Sequence, residues 1–120
     1  MEIGQLYVKK TIELAHFYDS LAREQYGRPI SHIYLCHDNT INAEYLSTIL
    51  DELKKNHFKL ISFEDALRDP VYSQNDSYYL KWGISWLYRW MNSQQERLRC
   101  MKLEPDLTAI EELYQEVTQK

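Results

Sequence analysis

The stretch Ile33-Tyr34-Leu35-Cys36-His37-Asp38-Asn39 decides how this chain is read: a short apolar run halts there at a histidine, an aspartate and an asparagine. A run of this length, bounded by turn residues, predicts a buried strand. Where strands and helices alternate, ligand chemistry collects just past the carboxyl ends of the strands, at the loops that meet solvent. His37 stands at that point and is the first candidate for chemistry. Asp38 and Asn39 either line the same site or orient His37, or else serve as turn residues and N-cap of the next helix, which their residue types favour.

Upstream of this stretch, Leu6, Leu14, Phe17, Tyr18, Leu21 and Ala22 recur at helical spacing, and Gly27 and Pro29 close the segment. Downstream, Ile41, Tyr45, Leu46, Ile49, Leu50 and Leu53 share a second helical face, with Lys54 and Lys55 in the last turn where they suit the helix dipole. Phe58 to Ile61 predicts a second strand, giving a parallel, right-handed strand–helix–strand unit. Ser62-Phe63-Glu64-Asp65 is a capping-box pattern for a short helix through Leu67, and Asp69-Pro70 ends it. A polar, tyrosine-rich loop follows from Tyr72 to Tyr79. Two further helices are expected. The first runs from about Trp82 to Met91, with Arg97 to Met101 extending or interrupting it, and the last is opened by Glu104-Pro105-Asp106, with Leu107, Ile110, Leu113, Tyr114 and Val117 on its apolar face.

The expected architecture is α/β: a partial (β/α) barrel fragment with two parallel strands and about five helices. Residues 1–120 form a single partial domain, and 91–120 a helical tail. Two parallel strands do not make a self-sufficient sheet, so a complementing chain, self-association or a longer parent protein is expected to supply the rest.

The bulk composition removes several function classes. The formal net charge of −4 comes from 14 basic and 18 acidic residues mixed along the chain, which excludes the clustered basic footprint of a nucleic-acid binder. The two cysteines, Cys36 and Cys100, are too few and too far apart for a zinc cluster and are expected to be unpaired thiols. The first residues lead into a charged, helix-like segment instead of an apolar secretory run, and no stretch has the length of a membrane span.

Trp82, Trp86 and Trp90 lie four apart and would share one helical face, either as core or interface or, through Trp86, as a stacking platform for a sugar ring. Arg89, on the same helix, is expected to make a structural ion pair.

The stretches 32–39, 42–46, 53–55, 58–67, 69–72 and 83–90, in this order, resemble the carboxyl-terminal part of polysaccharide deacetylases, the NodB-homology enzymes of carbohydrate esterase family four. The resemblance implies a distorted (β/α) barrel that hydrolyses acetyl groups from sugar polymers such as chitin oligomers, peptidoglycan or xylan. It implies a divalent metal, often zinc, held by an aspartate and two histidines, and an activated water. His37 matches the family's late-strand histidine, the general acid that protonates the leaving amine or alcohol. Leu35 matches the apolar residue preceding that histidine, and because the family's pocket for the acetyl methyl also draws on this late strand, the resemblance makes Leu35 a secondary candidate there. Full-length relatives are often exported.

The departure from the family is as informative as the likeness. No paired Asp-Asp follows a strand, and no His-x-x-x-His pair occurs. No metal ligand is therefore assigned to this chain, and no cofactor is expected in it alone. His57 occupies a turn where relatives often carry glycine. The reading is a deacetylase fragment, inactive without its metal-binding half, whose intact form acts on an acetylated polysaccharide or oligosaccharide. The competing reading is a non-enzymatic module that binds a protein or carbohydrate through its tryptophan-rich face and terminal helix.

Overall fold

The computed structural model describes residues 2–81 and 83–118. Its elements are α1 (Ile3–Tyr26), α2 (Thr40–Lys55), α3 (Phe63–Leu67), a 3-10 turn (Pro70–Ser73), α4 (Trp86–Arg89), α5 (Gln94–Lys102) and α6 (Thr108–Thr118). Helix accounts for 62% and strand for none among the described residues, which overturns the expected α/β barrel fragment with two parallel strands. The reason lies in pairing. A strand is stabilised by the neighbours it bonds to, and a pair of short strands has too few. The run around Ile33 and the run ending at Ile61 stay irregular and largely wet, with Leu35 75%, Tyr34 46%, Leu60 44% and Ile61 44% exposed.

The helical signals fare differently, because their bonds are local. Ser62 Oγ accepts the Asp65 amide at 3.1 Å, so the capping pattern does open α3. Gly27, at φ +68, ends α1 in the left-handed conformation that glycine adopts without a Cβ penalty. After α2, His57 takes φ +70 and its amide reaches the Lys54 carbonyl at 3.1 Å, a glycine-like terminator built with a histidine. The helix expected over 82–91 shrinks to α4, and α6 begins only at Thr108, whose amide is held by Asp106 Oδ1 at 2.9 Å.

The chain divides into two compact units. One takes the chain up to His16, Tyr34–Leu60 and the chain from Pro105; the other takes Phe17–Ile33 and Ile61–Glu104. In the first unit α1 and α2 meet closely: a Cβ added at Gly4 would fall on the Tyr45 ring, and Ile49 is fully buried. The second unit holds a continuous core of Leu21, Ala22, Val71, Leu87, Tyr88, Trp90, Met91 and Cys100. Edge-to-face pairs of Tyr72 with Trp90 (5.5 Å) and Tyr18 with Tyr88 (6.1 Å) fix its geometry. Of the loop tyrosines, Tyr72 and Tyr78 pack down, whereas Tyr79 is 88% exposed.

Two polar devices tie the second unit together. Asp69 bonds Arg28 through both oxygens (2.6 and 3.1 Å), the Ser31 amide (2.9 Å) and the Val71 amide (3.0 Å). Arg97, only 4% exposed, donates to the carbonyls of Tyr88 (2.9 Å) and Met91 (2.5 Å) and to Gln94 Oε1.

Candidate functional site

The loop bearing His37 is fixed from behind. Asn39 is extended (φ −147, ψ 172) as N-cap of α2, and its Oδ1 accepts the Asn42 amide at 3.0 Å. Asn42, 6% exposed, donates from Nδ2 to the His37 carbonyl at 2.8 Å. Its Oδ1 accepts from Tyr7 Oη at 2.5 Å, and Tyr34 Oη lies 3.5 Å from that hydroxyl. Burial, and then the Tyr7 hydroxyl, push the Tyr34 phenol well above the ordinary tyrosine range, so Tyr34 stays protonated at any working pH. His37 itself is exposed, as are Asp38 and Asn39. Leu35 stands in solvent, 75% exposed.

Of the two roles weighed for Asn39, the N-cap is the one its side chain fills here. Leu35, His37, Asp38 and Asn39 belong to the first unit, and Trp86 to the second. Trp86 is 53% exposed, with the Trp90 ring 6.1 Å away and the Arg89 guanidinium 5.0 Å from its centroid. Arg89 makes the expected structural ion pair, reaching Asp76 Oδ2 at 2.5 and 3.1 Å. Trp82 lies outside the described residues.

The four histidines do not converge. His16 shares a 3.0 Å bond with Asn56 and lies 5.4 Å from the Phe58 ring. His32 Nε2 is buried without a hydrogen bond, 3.8 Å from Asp19; burial lowers its pKa, and Asp19 only partly offsets that. Among the described residues no three His, Cys, Asp or Glu side chains gather as metal ligands. A groove of about 450 Å³ between the first half of α1 and α2, floored by Val8, Ile12 and Tyr45, takes in none of the candidate residues.

Asn42 and Tyr7 escape a reading by motif. Asn42 leaves a trace, since it puts a polar amide in line with the apolar stripe of Tyr45 and Ile49. Tyr7 leaves none, because its partner is distant in sequence. No family, no curated protein and no solved structure matches this chain.

Proposed function

We propose that the chain is the carboxyl-terminal part of a metal-dependent polysaccharide deacetylase, supplies His37 as general acid, and is inactive alone. The observation that carries this reading is the ordered likeness around His37. The exposure of that imidazole on a loop tied at both backbone and cap adds support. Deacetylation ends when the bond from the acetyl carbon to the sugar nitrogen or oxygen breaks, and the departing atom takes a proton. An exposed imidazole on a tethered loop can deliver that proton. The metal ligands come from the family's other half, carried on a longer parent protein or on a complementing polypeptide.

The test mixes the full chain with a family polypeptide carrying the Asp-Asp and His-x-x-x-His segments, zinc and chitin oligomers, and follows acetate. The wild-type mixture is expected to release acetate, and His37→Ala to slow release by about 10²–10⁴-fold. Release that survives His37→Ala removes His37 from the reaction. A second reading, an interaction module, draws on the exposed apolar side chains of Tyr79, Leu80 and Trp86. Under it, Trp86→Ala weakens association with a partner while acetate release stays absent throughout.

A further inference from the structure

We propose that Asn42 and Tyr7 are positioning residues for His37, forming a two-step tether that sets where the imidazole can reach; this rests on the general-acid reading above. The backbone carbonyl of His37 is held by a buried primary amide, and that amide can point only one way. The His37 carbonyl can only accept, so Nδ2 faces it at 2.8 Å and the amide oxygen is turned to the Tyr7 hydroxyl, which donates to it at 2.5 Å. The Asn42 backbone amide is engaged by the Asn39 cap at 3.0 Å, so the loop is pinned on both sides of Asp38. Tyr7 is held in turn, because its own carbonyl takes the Thr11 hydroxyl at 2.8 Å and its ring oxygen lies beside Tyr34.

A buried amide that lost this bond would leave a polar group unpaired, so the tether resists loosening. A proton donor contributes only when its atom lies within hydrogen-bond reach of the leaving group, and a small displacement costs about 10²-fold. The tether acts through the backbone and leaves the imidazole free.

Two arms test this on the full-length chain. In the first, labelled protein is examined by NMR for scalar coupling across the hydrogen bond from Asn42 Nδ2 to the His37 carbonyl carbon. The coupling is expected in the wild type. Tyr7→Phe, which keeps the ring, is expected to speed exchange of the Asn42 side-chain protons by about 10-fold. Absence of the coupling, or an unchanged exchange rate in Tyr7→Phe, overturns the tether.

In the second arm, the zinc-supplied mixture with chitin oligomers is assayed with Asn42→Ala and Asn42→Asp. Asn42→Ala is expected to lower kcat by about 10–100-fold at unchanged KM. Asn42→Asp is expected to recover relative to wild type as pH falls, because only the protonated acid can donate to the His37 carbonyl. A purely structural role would not produce that recovery. An active wild type with unaltered kcat in Asn42→Ala overturns the proposal. A wild type that releases no acetate overturns the deacetylase reading instead, and the NMR arm then still decides the tether.

Discussion

Arg97→Met is expected to lower the thermal midpoint of the chain by about 10 °C, read by circular dichroism at the helical band. Methionine preserves the stem that packs in the core, so the loss isolates the guanidinium. That group serves the Tyr88 carbonyl at the end of α4 and the Met91 carbonyl beyond it, and lies 5.3 Å from the Tyr78 ring centroid. Without it the buried Met91 carbonyl loses its donor, and the stacking contact goes too. One orphaned carbonyl and one weakened one together cost about 3 kcal/mol. Arg97→Lys is expected to recover less than half of this, since an ammonium cannot span two carbonyls set for a planar fork. A midpoint within two degrees of wild type for Arg97→Met would show that the carbonyls find other donors.

Asp69→Ala is the second large expected loss, also about 3 kcal/mol, summing a capping bond and charge-assisted bonds to the Ser31 amide and to Arg28. The Arg28 side is discounted because its side chain is 43% exposed and screened by water; the Asp69 side chain is 7% exposed. The same bonds set an acid limb. The Arg28 guanidinium, then the amides of Val71 and Ser31, hold the Asp69 carboxyl well below the usual range, against burial, which raises it. The folded state thus binds this proton less readily than the unfolded chain. Stability from Asp69 is complete above about pH 4 and drains away as pH falls toward the folded value. In Asp69→Asn that part of the acid sensitivity is expected to vanish. Urea midpoints measured from pH 6 down to pH 2 for both proteins check it, and parallel curves would refute the assignment.

What could be read from the chain alone divides along the range of the interactions. Helix ends are decided by residues a few positions apart, so the Ser62 cap, the Asn39 cap and the Gly27 stop were all legible. Strands depend on distant partners, and the runs around Ile33 and Leu60 have the right composition without such a partner. Periodicity could not separate that case from a buried strand. The site follows the same division. His37 was visible as the residue that stops an apolar run. Its support from Tyr7, across 35 residues, was invisible because a tyrosine at helical spacing reads as packing. Trp86, Trp90 and Arg89 were legible as neighbours on one turn, yet the Asp76 partner of Arg89 came from the loop before it.

The two thiols give the molecule a built-in pair of clocks. Cys36 is partly open to solvent and adjoins His37, whereas Cys100 is 1% exposed, and burial, foremost among its surroundings, pushes its thiol up. A single alkylating reagent therefore meets one sulfur by local breathing of the candidate loop and the other only through opening of the second unit's core. Mass spectrometry of the two cysteine peptides over time would separate these motions in one unmodified sample. A ligand that settles the loop would slow the first clock and leave the second running.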